Sequence, residues 1–446
     1  MNLAKALRAR AAEDRPIRIV LVGCGKFATM FLAQARLTPG LHVVWVVDLA
    51  VDRARANLER VGFDGDAVRV ADLDAAIASG GVWCSDGLDA HLEDPRLDVV
   101  IEATGDPAAG AGHALAAIRA GKHVVMVNVE ADVTVGPVLA AEARRMGVVY
   151  GFAYGDQPAL IAELVDWAQT SGLEVVAAGK GTRYLPRFHR STPETVWANM
   201  GFDPDMARRA GMNPKMFNSF VDGTKSAIEM AAVANATGLL PQRRGLGFPA
   251  CGARDLAQLL RPESDGGVLE HRGTVEVVAD LERDGRAVSD HLRWGVYVTF
   301  KAPTPYAASC FREYGLVTSD DGYAALWRPF HLIGLELGVS VANAVLRGEA
   351  TGQATRFIAD VVATAKRPLA AGELLDGEGG YTVYGRLMRA VDSVRADAVP
   401  MGLANHLRLM RPVARDAVIT WADVAESADA ALARLRRELV ANFIDL

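Results

Sequence analysis

Three things are scarce in this chain of 446 residues: cysteine, an excess of positive charge, and long apolar runs. Its four cysteines are widely spaced without a Cys-x-x-Cys pair, which argues against disulfides and a structural zinc site. A formal net charge of −6 offers no basic footprint for nucleic acid or an anionic membrane. No apolar run is long enough to span a bilayer, and residues 1–16 lack the apolar core of a signal peptide. We therefore expect a soluble, cytoplasmic protein that acts on a small molecule.

The most informative segment joins an apolar run at 17–22 to a glycine-rich turn and a helical pattern. The turn has a Gly-x-Gly-x-x-Ala pattern, which in this setting of strand, turn and helix is typical of dinucleotide binding. The first glycine permits the tight turn, the second lets backbone approach a diphosphate, and the alanine allows close packing of helix on strand. The diphosphate is expected at the helix N-terminus, where free N–H groups favour an anion. The predicted cofactor-binding residues of this turn are Gly23, Gly25, Lys26, Phe27 and Ala28.

Asp48 ends the second apolar run, where a carboxylate would accept both ribose hydroxyls of an adenosine. It favours NAD, because a carboxylate there would repel the 2′-phosphate of NADP. Arg53 and Arg55 keep NADP open, since either could reach such a phosphate from the following segment. The alternative is that both arginines are solvated helix residues. The predicted cofactor is therefore NAD or NADP, with NAD favoured.

From 17 to 154, strand and helix patterns alternate, as a parallel sheet covered on both faces requires. We predict an α/β fold with an N-terminal, doubly wound Rossmann sheet. After the second strand the expected elements are a helix pair within 51–96, strands at 98–103, 123–127 and 148–152, and helices at 107–120 and 136–145. Thr104 and Gly105 follow the first of these strands at the carboxyl edge of the sheet, close to the ribose and nicotinamide of the cofactor. The alternative there is a plain strand-to-helix turn.

The chain changes character after residue 155, where we predict a helix at 158–170, a strand at 174–179 and a long helix at 221–239. The segment 180–197 is dense in cationic, polar and aromatic side chains, and such loops line a site or an interface. Asp156 and Gln157 are expected to orient the substrate or to bind a divalent cation. No compact ligand cluster is visible, so a metal site stays unknown. The predicted substrate-binding residues are Asp156, Gln157, Lys180, Arg183 and Arg187.

A hydride-transferring enzyme needs a proton donor or acceptor for the substrate oxygen, and a lysine whose pKa is lowered by burial can serve. If a helix begins near Gly223, then Asp222, Lys225 and Glu229 share one of its faces. The alternative is a capping aspartate and an ordinary surface ion pair. His189, beside cationic side chains, is a second candidate, whereas His331 is expected to be structural at the start of an apolar helix. The predicted catalytic residues are Lys225, Asp222, Glu229 and His189.

The end of the chain differs again, with a strand followed by a glycine turn within 361–375, and strand patterns at 407–413 and 417–421. Strand, turn and strand in this order predict a small β-rich module.

Four segments resemble the bacterial homoserine-dehydrogenase-like proteins, a family that includes the 1-deoxy-D-xylulose 5-phosphate reductoisomerase-like (DRL) enzymes. They are Asn-Val-Glu-Ala-Asp-Val at 128–133, Ala-Gly-Lys-Gly at 178–181, Val-Asp-Gly-Thr-Lys at 221–225, and the helical stretch 229–239. The resemblance implies a Rossmann domain over 1–155, a central α/β catalytic and dimerisation domain over 156–355, and a SAF-like module over 356–446. It also implies NAD(P)-dependent hydride transfer in a homodimer or higher homo-oligomer, with Asn128 and Glu130 at the cofactor.

The resemblance also limits which substrates and reactions are expected. Homoserine dehydrogenases carry an Asn-Lys pair after the last nucleotide-domain strand, and Val129 in the place of that lysine argues against homoserine as substrate. The Asp-Gly-Thr-Lys start of the long helix supports Lys225 in proton transfer. We therefore predict an oxidoreductase for a polyol, hydroxy acid or sugar-phosphate-like compound. The alternatives are a reductoisomerase-like enzyme of isoprenoid synthesis that needs Mg or Mn, from which segments 153–158 and 183–202 differ, and a non-catalytic sensor of a cofactor or metabolite.

Overall fold

A computed structural model describes residues 2–88, 90–209, 211–425 and 430–444. The helices and strands of its first part are α1 (Leu3–Ala12), β1 (Ile17–Val22), α2 (Lys26–Ala35), β2 (Leu41–Val47), α3 (Val51–Arg60), α4 (Leu73–Ser79), β3 (Trp83–Ser85), β4 (Val99–Glu102), α5 (Pro107–Arg119), β5 (His123–Met126), α6 (Val129–Met146) and β6 (Tyr150–Phe152). Those that follow are α7 (Gln157–Thr170), β7 (Glu174–Thr182), α8 (Val196–Met200), α9 (Pro204–Arg209), α10 (Pro214–Val221), α11 (Thr224–Thr237), α12 (Leu256–Leu259), β8 (Thr274–Ala279), β9 (Val296–Lys301), α13 (Pro305–Glu313), β10 (Tyr323–Arg328), α14 (Gly338–Arg347), β11 (Ala359–Ala365), β12 (Val383–Arg389), α15 (Ala390–Arg395) and α16 (Ala430–Phe443). No helix in these described ranges is long and apolar enough to cross a bilayer.

Internal contacts divide the chain into two compact units, Met1–Ala159 with Leu332–Thr355, and Leu160–His331 with Arg356–Leu446. The first unit contains a six-stranded parallel sheet in the order β3-β2-β1-β4-β5-β6. Its apolar strands are buried on both faces, as helix-covered parallel sheets require. This confirms the predicted doubly wound Rossmann sheet. Helices α3 and α4 confirm the helix pair within 51–96, and β3 adds an edge strand.

Helix α14 belongs to the first unit because its apolar face joins the core of the Rossmann sheet. Leu337 and Val341 are fully buried in the cluster that also contains Ile19 and Phe31 of β1 and α2. The predicted domain boundaries at 155 and 355 stay predictions, and the compact units are drawn differently from them. His331 does not begin this helix as expected, because the chain stays irregular up to residue 337.

Helix α6 begins at Val129, seven residues before the predicted start at 136. The Asn128 side chain accepts a hydrogen bond of 3.0 Å from the backbone N–H of Ala131, and this N-cap starts the helix early. The apolar pattern alone placed the start too late, because Glu130, Asp132 and Thr134 alternate with apolar residues at 129–135 and do not follow helical spacing.

The second unit contains a four-stranded mixed sheet in the order β10-β9-β7-β8, in which only β7 and β8 are parallel. The long helix predicted at 221–239 is wrong at its start, because α10 ends at Val221 and α11 begins at Thr224. Gly223 breaks the helix with a left-handed φ of 90°. Helix α11 packs on both strands of the separate β11–β12 pair and on β8.

The C-terminal segment forms the antiparallel pair of β11 and β12, with Ala359 opposite Arg389 and Ala365 opposite Val383. The predicted strands at 407–413 and 417–421 are wrong. These segments make only single bridges, such as Leu374 with Arg408 and Thr364 with Val418. The bridges of 407–413 to the segment 369–374 are isolated from one another, and those of 417–421 reach two different segments, at Thr364 and Ala398, so no ladder of strand length forms.

Candidate functional site

The glycine-rich turn between β1 and α2 is shaped by two glycines with different roles. Gly23 has a φ of 89°, and a Cβ there would lie 2.7 Å from the carbonyl oxygen of Ala103, so a side chain does not fit. Gly25 precedes α2, and a Cβ there would meet nothing within 4 Å in the described structure. Ala28 is fully buried in the core, whereas Lys26 is exposed at the start of the helix, before the half-buried Phe27. The turn therefore leaves the first N–H groups of α2 open to an anion.

The Asp48 carboxylate at the end of β2 holds this turn in place through hydrogen bonds. One oxygen accepts the backbone N–H of Cys24 at 2.8 Å, and the other accepts that of Ala50 at 2.8 Å. Arg53 lies with its guanidinium 3.0 Å from the same carboxylate, although most of its side chain is exposed. Arg55 pairs with the exposed Asp52 instead, at 3.3 Å. Of the two arginines, Arg53 is therefore the one beside the predicted ribose site.

The turn after β4 is held by Glu102, a residue that the sequence analysis missed. Its buried carboxylate accepts the Thr104 hydroxyl at 2.6 Å and lies 3.3 Å from Nδ1 of His113. The other carboxylate oxygen, Oε2, is buried without a hydrogen-bond partner among the described residues. Thr104 and Gly105 are exposed at the carboxyl edge of the sheet, and Gly105 has a φ of 78°. The predicted cofactor loop thus lies at the edge where ligands bind in such sheets.

Other residues predicted near the cofactor and substrate are partly or wholly buried in the first unit. Asn128 caps α6 and donates from its amide nitrogen to the carbonyl of Asp106 at 2.8 Å, so its described bonds are structural. Glu130 is half-buried in the first turn of α6. Asp156 accepts the backbone N–H of Gln157 at 2.8 Å, and both side chains are buried at the start of α7. Their roles toward a cofactor or substrate stay predictions.

In the second unit, His189 lies between a carbonyl and a phenol. Its Nδ1 is 2.7 Å from the backbone oxygen of Asp222, and its Nε2 is 2.8 Å from the hydroxyl of Tyr184. The Tyr184 ring stacks on Phe248 at 3.9 Å, and the Tyr384 ring stacks on the imidazole at 4.5 Å. Burial lowers the pKa of His189, although the hydrogen bond to Asp222 opposes this shift. The ring is therefore held in one orientation, and the lowered pKa favours its neutral form.

Asp222 is paired with Lys366, which the sequence analysis did not single out. The Lys366 Nζ lies 2.7 Å from a carboxylate oxygen of Asp222, and both side chains are buried. The same ammonium donates to the carbonyl oxygens of Ser191 at 2.8 Å and Gly380 at 2.6 Å. A buried charge of this kind is stable only when paired and hydrogen-bonded, and Lys366 meets both conditions.

Glu229 forms a buried ion pair with Lys180, across α11 and β7. The alternative of an ordinary surface pair is therefore wrong for Glu229, whose side chain is 3% exposed. Lys225 is half-buried in the first turn of α11. The structure thus gives Asp222 and Glu229 lysine partners that lie far away in the sequence, while the proton-transfer role of Lys225 stays a prediction.

A cavity of about 140 Å³ opens beside His189 in the second unit. Its side-chain lining combines one imidazole, two guanidinium groups, a phenol and apolar groups, and its backbone lining includes three glycines. The lining residues are His189, Gly223, Ala227, Arg244, Gly245, Leu246, Phe248, Tyr384, Gly385, Arg386 and Leu387. The guanidinium of Arg386 favours an anionic or oxygen-rich ligand, whereas that of Arg244 is already paired with Glu263 at 2.8 Å and Glu270 at 3.6 Å. Among the predicted site residues, His189 lines this cavity.

The two arginines predicted to bind the substrate, Arg183 and Arg187, contact other groups of the protein and do not line the cavity. Arg183 donates to the carbonyl of Asn199 at 2.6 Å and lies 3.5 Å from the buried carboxylate of Asp280. Arg187 is exposed, with its guanidinium 5.3 Å from the ring centre of Phe188. Arg244 and Arg386 line the cavity instead, and no local pattern in the sequence marks either of them. Among the described residues, no group of three or more His, Cys, Asp or Glu side chains is arranged to hold a metal ion.

Two models of known protein families match successive parts of the chain. Residues 23–152 match the model of the homoserine dehydrogenase NAD-binding domain, and residues 155–337 match that of the catalytic domain of oxidoreductase DRL. A 1-deoxy-D-xylulose 5-phosphate reductoisomerase of Jannaschia sp. is 28% identical over 236 residues, which are 51% of this chain and 56% of that protein. The chain thus matches little more than half the length of this curated relative.

Among solved structures, the chain is similar to an aldose-aldose oxidoreductase from Caulobacter crescentus, with 14% sequence identity and a TM-score of 0.40. The match covers 76% of this chain and 92% of that protein. A probable dehydrogenase from Thermotoga maritima is 15% identical and covers 75% of this chain and 90% of its own, with a TM-score of 0.36.

Proposed function

We propose that this chain, an oxidoreductase of the homoserine-dehydrogenase-like DRL type, transfers a hydride between a nicotinamide cofactor and a small oxygenated substrate. The glycine-rich turn carries this proposal. Gly23 leaves no room for a Cβ, Gly25 leaves the start of α2 open, and Asp48 fastens the turn from the end of β2. Backbone N–H groups at such a helix start are suited to a diphosphate.

The residues of the first unit fit a nicotinamide dinucleotide. Gly23, Gly25 and the first turn of α2 would hold the diphosphate, and Asp48 would accept the adenosine ribose hydroxyls. Thr104 and Gly105, supported by Glu102, would lie along the nicotinamide side. The nicotinamide, when bound, supplies or accepts the hydride. Asp48 supports NAD, whereas Arg53 is the group that would meet the 2′-phosphate of NADP.

The cavity beside His189 is proposed as the substrate site. Arg386 would hold an anionic or oxygen-rich group, as in a hydroxy acid, a polyol or a sugar phosphate. His189 and Lys225 are the candidates for moving the proton of the substrate oxygen. Asp222, which precedes α11, and Glu229, on α11, are their neighbours. A homodimer, testable by light scattering, and a SAF-like character of the C-terminal segment are parts of the same proposal.

The first experiment is a fluorescence titration of the purified protein with NADH and NADPH in parallel. Saturable binding of one or both supports the cofactor site, and tighter binding of NADH supports the Asp48 argument. Binding of neither overturns the proposal. The bound protein is then incubated with polyols, hydroxy acids and sugar phosphates while nicotinamide absorbance is followed.

The match to a 1-deoxy-D-xylulose 5-phosphate reductoisomerase favours a second candidate function, the metal-dependent reduction and rearrangement of that compound. Oxidation of reduced cofactor that requires both 1-deoxy-D-xylulose 5-phosphate and Mg or Mn would support it. Turnover of another substrate without added metal would favour simple dehydrogenation. Tight nucleotide binding without turnover of any compound in the panel would favour a sensor.

A further inference from the structure

Four polar residues of the second unit form a continuous chain, and one of them, His189, lines the cavity. Lys366 pairs with the Asp222 carboxylate at 2.7 Å, the Asp222 carbonyl faces Nδ1 of His189 at 2.7 Å, and Nε2 of His189 faces the Tyr184 hydroxyl at 2.8 Å. Lys366, Asp222 and Tyr184 are buried, and His189 lines the cavity. The sequence analysis singled out two of these four residues and left out Tyr184 and Lys366.

The geometry fixes which nitrogen of His189 carries the proton. A carbonyl oxygen only accepts hydrogen bonds, so Nδ1 must be the N–H donor to Asp222. In the neutral ring, Nε2 then holds a lone pair and accepts the hydroxyl proton of Tyr184. Lys366 and Asp222 support this arrangement, since their ion pair and the carbonyl bonds of Lys366 hold Asp222 in place.

Resting on the proposed function, we propose that Tyr184 and His189 are the proton-transfer pair of this oxidoreductase. When an alcohol is oxidised, its C–H hydride passes to the oxidised nicotinamide and its hydroxyl proton passes to the Tyr184 oxygen. The Tyr184 proton moves at the same time to Nε2 of His189. The products are a carbonyl compound, the reduced nicotinamide and an imidazolium, and the reduction reverses each transfer.

The surroundings of Tyr184 suit a relay. Burial raises the pKa of its hydroxyl to about 12, so the group stays protonated between transfers. Its ring is fixed by the stack on Phe248, which lines the cavity. Tyr184 therefore contacts two cavity residues, one through its ring and one through its hydroxyl.

The charges around His189 set the expected pH dependence. Burial lowers its pKa, the bond to and charge of Asp222 and the charge of Asp416 raise it, and the charge of Lys366 lowers it again. Tyr184 and Tyr384 are the other titratable groups packed on the ring. Since an imidazolium accepts no proton, the rate of alcohol oxidation falls as the pH drops through the pKa of His189, below the ordinary range of histidine.

The test compares wild type, Tyr184→Phe, which keeps the ring and removes the hydroxyl, and Tyr306→Phe, the same change at an exposed tyrosine. We expect Tyr184→Phe to lower kcat by about 100-fold or more, with an unchanged Kd for the nicotinamide, and Tyr306→Phe to match wild type. Loss of the acidic limb of the wild-type pH profile in His189→Gln would support the same pair. Turnover of Tyr184→Phe within about threefold of wild type overturns the relay.

A second measurement is independent of turnover. In protein labelled with ¹⁵N-histidine, the resonances absent from His189→Gln identify the imidazole and report its tautomer. We expect the Nδ1–H tautomer and a pKa below the ordinary value. An Nε2–H tautomer overturns the relay while leaving the proposed function intact. Wild-type protein that binds nucleotide without any turnover contradicts the proposed function itself, so the two failures are distinguishable.

Discussion

The two compact units of this chain build their candidate sites by different means. In the first unit, the turn from Gly23 to Ala28 and the acid at Asp48 lie within one βαβ stretch, and backbone groups dominate the surface offered to a ligand. In the second unit, the cavity is lined by four separate segments, at His189, at Gly223 to Ala227, at Arg244 to Phe248, and at Tyr384 to Leu387. A site made of backbone depends on the absence of side chains, whereas a site made of side chains depends on their partners.

The chain buries carboxyl groups in two ways. In the second unit, Asp222 and Glu229 are each paired with a buried lysine. In the first unit, Asp132 accepts the hydroxyl of Tyr150 at 2.8 Å, and its other oxygen has no hydrogen-bond partner among the described residues. Burial raises the pKa of Asp132 to about 7, and it raises the pKa of Glu276 in the second unit to about 7 as well. The two lysine-paired groups are thus compensated charges, whereas Asp132 and Glu276 resist ionisation.

The largest expected effect comes from breaking a buried pair in the second unit. Lys366→Met leaves Asp222 without its counter-charge, and we expect a loss of about 3–5 kcal/mol in the free energy of unfolding. The neighbouring Arg367→Met breaks an exposed pair with Glu373 and should cost less than about 1 kcal/mol. Denaturant unfolding measures both. Equal losses in the two variants would contradict the distinction between buried and exposed pairs.

The buried carboxyl group of Asp132 in the first unit should make the free energy of unfolding depend on pH. Its pKa is raised in the folded state from 3.8 to about 7, so its stabilising contribution is fully present below about pH 4 and is lost as the pH rises to 7. The stability of Asp132→Asn relative to wild type should therefore rise by about 1.4 kcal/mol per pH unit between about pH 4 and 7, and be constant above. Unfolding curves at several pH values test this. The exposed Asp14→Asn serves as control, and a flat difference for Asp132→Asn would contradict the account.

The backbone site of the first unit should fail when a side chain is added. Gly25→Ala places a methyl group in open space, so the fold should persist, but the methyl group should weaken nucleotide binding by about 10- to 100-fold. Gly112→Ala, in α5, also meets nothing within 4 Å and should bind as wild type. Fluorescence titration gives both dissociation constants. Unchanged nucleotide binding by Gly25→Ala would mean that the diphosphate does not bind at this turn.

The smallest expected effect concerns the choice of cofactor. Asp48→Ser should raise the Kd for NADH by about 10-fold, which corresponds to a lost charge-assisted hydrogen bond of roughly 1.5 kcal/mol, while Arg53 remains to meet a 2′-phosphate. NADPH binding should be unchanged or tighter. The matched change Asp52→Ser, at an exposed carboxylate, should alter neither constant. A parallel loss of both cofactors would mean that Asp48 acts only by fastening the turn through Cys24 and Ala50.

Local patterns were sufficient for the first unit. The strands β1 and β2, the turn between them and the helix pair after them follow from apolar runs and glycines that are close in the sequence. The early start of α6 was missed although Asn128 is a good N-cap residue, because the analysis followed apolar periodicity and the buried first turns have none.

The second unit was harder to predict because its contacts are distant in the sequence. Lys366 bonds to Ser191, 175 positions away, and Lys180 pairs with Glu229, 49 positions away. His189 was singled out because cationic residues surround it in the sequence. Tyr184 becomes recognisable only through its contact with His189, and Arg386 only when the fold brings it to the cavity. Arg183 and Arg187 were chosen for their charge, and charge alone does not tell whether a guanidinium faces a ligand or a carboxylate such as Asp280.

Hydride transfer is tested most directly with a nicotinamide cofactor that carries deuterium at the transferable position. The protein is incubated with this reduced cofactor and the carbonyl forms of polyols, hydroxy acids and sugar phosphates, and the products are analysed by mass spectrometry. The account predicts that one product gains a single deuterium on carbon and that the cofactor is oxidised in equal amount. Cofactor that binds tightly but keeps its deuterium against every compound would contradict it.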